Sequence, residues 1–215
     1  MKIFLDSADI ETIKKFWDTG ILCGVTTNPL ILSSSGIRPA ELIKNIRNWF
    51  KGKLFIQATG ENADEIVSNA KNLFNLMPET IIIKISSTRI GIEAISKLAQ
   101  EGIPTAATAL FGTVQGICAA EANASFLIPF YDRLERSGGN PVLLLKDLVL
   151  LQNETKKTKI LVASLKNAQQ IENCLREKVW GVTVPPHLLE EILHNPLTII
   201  ADENFKKASP SDTEE

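Results

Sequence analysis

Residues that build disulfide frameworks and metal sites are scarce in this sequence. There are three cysteines, Cys23, Cys118 and Cys174, and none stands in a CxxC or CxxH pair. Isolated thiols in an odd number favour a reducing compartment over a disulfide framework or a zinc site. The only histidines are His187 and His194, so a metal site built on imidazole has little to draw on.

An excess of one charge and long apolar runs are also missing. The 215 residues include 23 basic and 25 acidic side chains, for a net charge of -2. This balance gives no electrostatic reason to expect nucleic acid or an anionic membrane as a partner. No run of 18 apolar residues occurs, and the chain begins with the strand-like KIFLD rather than a leader peptide. We therefore expect a cytoplasmic protein with small-molecule or protein partners.

What the sequence does contain is a strand followed by a helix, repeated eight times. Strands are predicted at residues 2–6, 24–29, 53–59, 80–86, 104–110, 125–130, 159–164 and 180–185, and a helix follows each of them. Eight such units in little over 200 residues are typical of a (β/α)8 or TIM barrel, although a doubly wound open sheet also alternates strands and helices. We expect one barrel domain over residues 1–205 with an extra C-terminal helix, and a polar tail at 206–215.

The fourth predicted strand, TIIIKIS, places Lys84 among four isoleucines. Burial disfavours the ammonium form, lowers the pKa of the amine and makes a lysine able to form a Schiff base with a carbonyl compound. The alternative is a lysine on the polar side of a half-exposed strand. Other residues of the predicted barrel are needed to distinguish a buried Lys84 from one on a half-exposed strand.

Polar side chains stand near the carboxyl end of nearly every predicted strand, where a barrel carries its chemistry. They are Asp6, Thr26, Asn28, Gln57, Lys84, Ser86, Thr108, Arg133, Ser164 and Lys166. Taken singly, residues such as Asn28 and Ser86 are explained equally well as caps of the next helix. A carboxylate and an amine are unfavourable to bury alone and tolerable together, so we expect Asp6 and Lys84 to share one mouth.

Three of these residues suit a phosphate group. Arg133 follows strand six, and Ser164 and Lys166 lie in the loop after strand seven, a region that often binds phosphate in barrels. A guanidinium, an ammonium and a hydroxyl together match a phosphate monoester. Alternatively, Arg133 pairs with the neighbouring Asp132 or Glu135 at the surface. Both histidines fall at the helix after strand eight, away from this mouth, so we expect neither a metal site nor a histidine base.

Six motifs make the chain similar to a known family. They are FLDSAD (4–9), GVTTNP (24–29), the lysine strand with T-x-x-G (88–91), GIPTAAT (102–108), PFYDR (129–133) and ASLK (163–166). Together they resemble the small branch of the transaldolase family, which includes the fructose-6-phosphate aldolases, over roughly residues 1–205. The resemblance implies a class I aldolase or transaldolase of carbohydrate metabolism that acts on sugar phosphates without a cofactor.

The resemblance also implies roles for individual residues. Lys84 would form the Schiff base, Asp6 would act as acid and base, and Gln57 and Thr108 would position the catalytic water. The substrate-binding residues would be Thr26, Asn28, Phe130, Arg133, Ser164 and Lys166, the last three for the phosphate. Small members of the family form pentamers paired into decamers through a C-terminal helix. We accordingly expect a homo-oligomer, since Leu197, Ile199, Ile200 and Phe205 follow the barrel, although this segment can also fold back on its own subunit.

The chain departs from the family pattern at three positions. Ser86 stands where the family usually has proline. Gln57 resembles the aldolases, since transaldolases have glutamate there, whereas Phe130 resembles the transaldolases, since aldolases have tyrosine. Tyr131 is one residue out of register and is expected to point to the opposite face.

These departures leave the reaction open between two members of the family. We favour an aldolase slightly, because the amide of Gln57 cannot act as a carboxylate base through water. The first alternative is a true transaldolase, which moves dihydroxyacetone to an aldose phosphate, and the second is a non-catalytic sugar-phosphate-binding relative. A phosphate-binding barrel isomerase would not need Lys84.

Overall fold

The eight predicted strands are present and form a closed parallel barrel in chain order. The computed structural model describes residues 1–155 and 157–209. The strands are β1 (Lys2–Asp6), β2 (Gly24–Thr26), β3 (Lys53–Gln57), β4 (Ile81–Ser86), β5 (Thr105–Leu110), β6 (Phe126–Pro129), β7 (Lys159–Val162) and β8 (Gly181–Val184). Because β1 pairs with both β2 and β8, the sheet has no free edge. The prediction of a (β/α)8 barrel is confirmed, and the open sheet is not.

Helices follow every strand and cover the outside of the barrel. They are α1 (Ile10–Trp17), α2 (Pro29–Ser34), α3 (Pro39–Ile46), α4 (Ala63–Phe74), α5 (Arg89–Gln100), α6 (Thr113–Glu121), α7 (Tyr131–Arg136), α8 (Pro141–Thr155), α9 (Ala168–Arg176), α10 (Pro186–Leu193) and α11 (Pro196–Ala208). No helix in the described part of the chain has the length and apolar character needed to cross a membrane.

Short polar side chains fix where several helices begin. Asp9, Asn62, Thr88 and Asn167 each accept a hydrogen bond from a backbone N–H in the first turn of the helix that follows. Such N-caps satisfy donors that have no partner inside the helix. Each lies in a loop after a strand, so the sequence sets the change from strand to helix at the carboxyl end of the barrel.

Aromatic rings fill the amino-terminal half of the barrel interior. Four of them, Phe4, Phe55, Phe126 and Trp180, lie with ring centroids 5.0 to 5.5 Å apart. Gly24 leaves room for this cluster, because a Cβ there would lie 2.8 Å from the Phe4 ring and 2.1 Å from the carbonyl oxygen of Lys53. The polar interior residues, which lie further along the strands, therefore face the opposite, carboxyl-terminal mouth.

Two short helices were not predicted, and both lie beside that mouth. Residues 29–34 form α2 ahead of the longer α3, because Asn28 caps it and Pro29 occupies its first turn, where a missing N–H is harmless. Residues 131–136 form α7 directly after β6. As a consequence β2 and β6 end earlier than predicted, at Thr26 and Pro129.

The predicted C-terminal helix is α11, and none of its thirteen residues is buried. Leu197 is 76% exposed and Phe205 is 70% exposed. Of the tail predicted at 206–215, residues 206–208 continue this helix, and residues 210–215 lie outside the described part of the chain. The helix therefore presents an apolar surface that its own barrel does not cover.

Candidate active site

A cavity of about 320 Å³ opens at the carboxyl ends of the strands. Its polar lining includes six residues predicted from the sequence, namely Asp6, Asn28, Lys84, Arg133, Ser164 and Lys166, and Phe130 forms part of its wall. Strand alternation explains why these side chains converge, since each lies on or just after a strand whose preceding inward-facing residues fill the core.

Lys84 lies inside the barrel and is 3% exposed. Its neighbours Ile83 and Ile85 point outward into the layer between strands and helices, which leaves Lys84 facing the interior. The Nζ atom donates a hydrogen bond of 2.6 Å to the backbone carbonyl of Thr27. Desolvation lowers the pKa of Lys84 to about 8, although the Asp6 carboxylate acts in the opposite direction. A substantial fraction of the amine is therefore neutral near pH 8 and can attack a carbonyl carbon.

Asp6 ends β1 and contributes its carboxylate to the same cavity. Burial raises the pKa of Asp6, and Lys84, the hydroxyl of Thr26, Lys166 and Arg133 act against that rise. A raised pKa makes a carboxylate a stronger base, which suits Asp6 to accept and return a proton. The two groups expected to share one mouth do so.

The residues at the end of β2 have different surroundings from one another. Asn28 caps α2, since its Oδ1 accepts hydrogen bonds from the N–H groups of Leu30 and Ile31. Because Oδ1 is engaged, the amide donors are the part of Asn28 available to the cavity. Thr26 is fully buried, and its hydroxyl donates to Asp6 Oδ1 at 2.6 Å. Thr26 is not among the residues that line the cavity, and its hydroxyl lies against the carboxylate of Asp6.

Positive charge gathers at one end of the cavity. Arg133 stacks over the ring of Phe130 at 4.9 Å from its centroid. Within residues 1–155 and 157–209 no carboxylate forms an ion pair with Arg133. Asp132 instead pairs with Arg136 at 2.8 Å, and Glu135 accepts a hydrogen bond from Gln170. The guanidinium of Arg133 is thus available to a ligand.

Arg136 also lines the cavity and was not predicted from the sequence. It lies three residues after Arg133, a spacing that puts both side chains on one face of a helix. The spacing of the two arginines is visible in the sequence, but it indicates a shared face only if residues 131–136 form a helix, and α7 was not predicted. With Lys166 and Arg133, it gives the cavity mouth three cationic side chains.

Strained backbone occurs at two strand ends beside the cavity. Ser164, after β7, has φ of +60°, and Ala109, at a bulge near the end of β5, has φ of +54°. Left-handed conformations in residues other than glycine are unfavourable by about 1–3 kcal/mol and often occur at functional sites. Here the left-handed conformations determine the direction of the backbone at Ser164 and immediately after Thr108.

Gln57, Ser86 and Thr108 form a polar group on three adjacent strands. In the sheet register Gln57 is opposite Lys84 and Ser86 is opposite Thr108. Gln57 Nε2 donates to Ser86 Oγ at 3.3 Å, and Thr108 Oγ1 is buried with no hydrogen-bond partner among the described residues. A buried hydroxyl without a partner is a position where a water molecule is expected to bind.

Three further residues lie away from the cavity. The Tyr131 hydroxyl accepts a hydrogen bond of 2.9 Å from Asn173 in the outer layer, so its ring points to the opposite face, as predicted. His187 is exposed on α10, and His194 follows the end of that helix. Neither histidine lines the cavity.

The family model described as "Transaldolase/Fructose-6-phosphate aldolase" matches residues 3–215. The chain belongs to the transaldolase/fructose-6-phosphate aldolase family.

Its relatives include three proteins named probable transaldolase. The one from Nitrosopumilus maritimus is 34% identical over 96% of this chain and 94% of its own length. The one from Thermodesulfovibrio yellowstonii is 32% identical over 96% and 97%, and the one from Lactiplantibacillus plantarum is 35% identical over 92% and 91%. Each alignment covers nearly the whole of both chains.

The T-x-x-G motif has a structural explanation in this family member. Thr88 caps α5 by accepting a hydrogen bond from the N–H of Gly91. A Cβ on Gly91 would lie 1.9 Å from the carbonyl oxygen of Ser86, so only glycine lets the helix approach the end of β4 this closely. The motif therefore holds the strand that carries Lys84 against its helix, even though serine occupies the usual proline position.

Proposed function

We propose that the protein performs class I aldol chemistry on ketose phosphates, with Lys84 as the residue that forms the Schiff base. The observation that carries this proposal is the neutralisable, buried amine of Lys84 in one cavity with Asp6. The cationic residues at the mouth supply the site for the phosphate. Membership of the transaldolase/fructose-6-phosphate aldolase family supports an enzyme of the lyase or transferase type.

The first half of the reaction follows from these groups. Neutral Lys84 adds to the ketone carbon, and loss of water gives an iminium ion. When the bond between the third and fourth carbons breaks, its electron pair flows to the iminium nitrogen and leaves an enamine. The Asp6 carboxylate accepts the proton of the hydroxyl on the fourth carbon, which becomes the aldehyde of the departing aldose phosphate.

The second half of the reaction depends on what the enamine meets. If it is protonated and the iminium is hydrolysed, dihydroxyacetone leaves, and the enzyme is an aldolase. The group formed by Gln57, Ser86 and Thr108 favours this course, because a water molecule bound at the buried hydroxyl of Thr108 would have amide and hydroxyl neighbours rather than a carboxylate. If the enamine adds to an aldose phosphate, Asp6 returns its proton to the new hydroxyl, water hydrolyses the resulting iminium to free the new ketose phosphate and Lys84, and the enzyme is a transaldolase. Phe130, which offers no hydroxyl to hold water, and the relatives named probable transaldolase favour that second course.

One assay separates these possibilities. The purified protein is supplied with fructose 6-phosphate alone and with erythrose 4-phosphate added, and the release of glyceraldehyde 3-phosphate is followed. Release without an acceptor, together with free dihydroxyacetone, identifies the aldolase. Release only with the acceptor identifies the transaldolase. Binding without release in either case would contradict the proposal and identify a non-catalytic sugar-phosphate-binding protein.

We further propose that Arg133 supplies most of the phosphate affinity, since no carboxylate among the described residues pairs with its planar guanidinium. Arg133→Ala is expected to raise KM for a phosphorylated sugar about 10- to 100-fold, the range for losing charge-assisted hydrogen bonds. The KM for unphosphorylated dihydroxyacetone as donor should stay near the wild-type value. Steady-state kinetics with both compounds measure the difference.

Arg136→Ala is the matched comparison, because Arg136 lies at the same mouth but is held by Asp132. It should raise KM for the phosphorylated sugar less than Arg133→Ala does. Equal effects of Arg133→Ala on the phosphorylated and unphosphorylated compounds would show that this arginine supports the fold rather than the phosphate.

The exposed apolar side of α11 supports a homo-oligomer, and we propose a pentamer or decamer in which α11 packs on a second copy. Deleting residues 196–215 should lower the particle mass measured by light scattering while leaving a folded barrel, because α11 contributes no buried residue to its own subunit. Deleting only residues 210–215 is the control and should leave the mass unchanged. A full-length protein that is monomeric at micromolar concentration would contradict this assembly.

A further inference from the structure

Thr183 is a buried residue of β8 that the proposed chemistry does not yet use. It is 1% exposed, and its Oγ1 lies 2.6 Å from Thr26 Oγ1. Thr26 Oγ1 in turn lies 2.6 Å from Asp6 Oδ1. Because β1 lies between β2 and β8, the contact between Thr26 and Thr183 passes across the inner side of β1, and the three side chains form one hydrogen-bonded line.

The direction of these hydrogen bonds follows from the number of protons available. A carboxylate only accepts, so the single hydroxyl proton of Thr26 is committed to ionised Asp6. The oxygen of Thr26 must therefore accept from the hydroxyl of Thr183. The line runs from Thr183 to Thr26 to Asp6, and Thr183 is the residue that fixes the orientation of the hydroxyl beside the carboxylate.

The geometry points to Thr183 as a positioning residue for the acid and base Asp6, acting through Thr26. This inference rests on the proposed function, in which Asp6 accepts a proton from the substrate. A hydrogen bond to the charged form of a carboxylate favours that form, and hydrogen bonds in a chain strengthen one another in a low-dielectric interior. Thr183 thus helps to keep Asp6 ionised and aligned between turnovers.

The hydrogen bonds among Thr183, Thr26 and Asp6 are also compatible with protonated Asp6. When Asp6 has taken a proton it can donate to Thr26, whose hydroxyl then turns toward Thr183. The charged groups that act on Asp6 from the other elements are Lys84 of β4, Arg133 of α7 and Lys166 after β7.

Packing alone does not explain a threonine at this position. The interior layer below the cavity consists largely of aromatic and aliphatic side chains. Valine has nearly the same shape as threonine and carries no hydroxyl that must be desolvated. A core position of this kind is normally filled by an apolar residue unless the hydroxyl has a partner that needs it.

The test compares Thr183→Val with Thr183→Ser in the full-length protein. The Asp6 carboxyl carbon is titrated by 13C NMR, with its signal assigned by comparison with Asp6→Asn, and cleavage is measured by steady-state kinetics. In Thr183→Val the pKa of Asp6 should rise above the wild-type value, and kcat should fall about 5- to 10-fold, with KM unchanged, as expected for a lost hydrogen bond that matters in the transition state. Thr183→Ser should restore both.

Thr158→Val is the matched control, because Thr158 is equally buried and donates to the carbonyl of Ala124, outside the cavity. It should leave the Asp6 titration unchanged. If Thr183→Val does not fold, Thr183→Ala takes its place with the same expectations. An Asp6 pKa that is the same in wild type and in the variant lacking the hydroxyl overturns the inference. Because the titration needs no turnover, this outcome is distinct from a wild-type protein that proves inactive.

Discussion

Replacing Lys84 with methionine is expected to abolish turnover of fructose 6-phosphate and covalent capture of the sugar. Borohydride reduces the iminium ion to a stable secondary amine, so in the wild type the mass of the donor fragment should appear on the peptide that contains Lys84. Methionine fills nearly the same volume but has no amine. The expected loss in kcat is about 10⁴-fold or more, since the nucleophile itself is removed. Peptide mass spectrometry after reduction and a coupled assay measure both effects.

The pH dependence of capture gives a second expectation for the same residue. The pKa of Lys84 is about 8, and only the neutral amine attacks the ketone. The rate of capture in the wild type should therefore rise with pH and begin to level off above about 8. A profile that keeps rising to the usual pKa of an exposed lysine would contradict the effect of burial.

A lysine at the other end of the barrel provides the control for Lys84. Lys159 begins β7 on the amino-terminal side, where its Nζ lies over Trp180. Lys159→Met removes one amine from a strand of the same sheet and should leave capture unaffected. Activity that survives in Lys84→Met would favour isomerase chemistry, which needs no covalent lysine. Labelling at another lysine would show that a different residue is the nucleophile.

The barrel could be predicted from the sequence because the strands carry their own signals. The isoleucines that favour a strand at β4 and the caps at Asp9 and Thr88 that begin helices act on residues close to them in the sequence. The observed strand starts accordingly lie within one residue of the predicted ones. The ends were harder to predict. β2 stops at Thr26 because Asn28 serves the next helix instead of the sheet, which is a competition between two hydrogen-bonding patterns.

The candidate site was predictable in part for a similar reason. In a closed parallel barrel, alternation alone brings Asp6 and Lys84 to one mouth. It does not reveal contacts that depend on register between strands distant in sequence. Thr183 lies 157 residues from Thr26, and nothing local in either segment indicates that their hydroxyl groups meet. Arg136 was missed because its role depends on α7, a helix too short to show a period.

Replacing Asp6 with asparagine is expected to separate the two chemical steps. The amide cannot accept the proton from the substrate hydroxyl, so kcat for carbon–carbon cleavage should fall about 10²- to 10⁴-fold, the range for losing a general base. Schiff-base capture should persist, because Lys84 and the cationic mouth remain. The Asp6 carboxylate raises the pKa of Lys84, so its removal should let that pKa fall. The pH at which the rate of capture begins to rise should therefore be lower than in the wild type. Cleavage kinetics and borohydride trapping from pH 6 to 9 measure the two steps separately.

Asp9→Asn is the matched control for Asp6→Asn, because it makes the same chemical change three residues away. Asp9 caps α1 by accepting the N–H of Thr12 at 2.8 Å, and asparagine serves equally well as an N-cap. The control should therefore keep the wild-type rate of cleavage and the wild-type pH profile of capture. If Asp6→Asn retained full cleavage, another group would have to be the base. If it lost capture together with cleavage, Asp6 would be needed to form the iminium ion, and the division of labour between the carboxylate and the amine would be different from the one proposed.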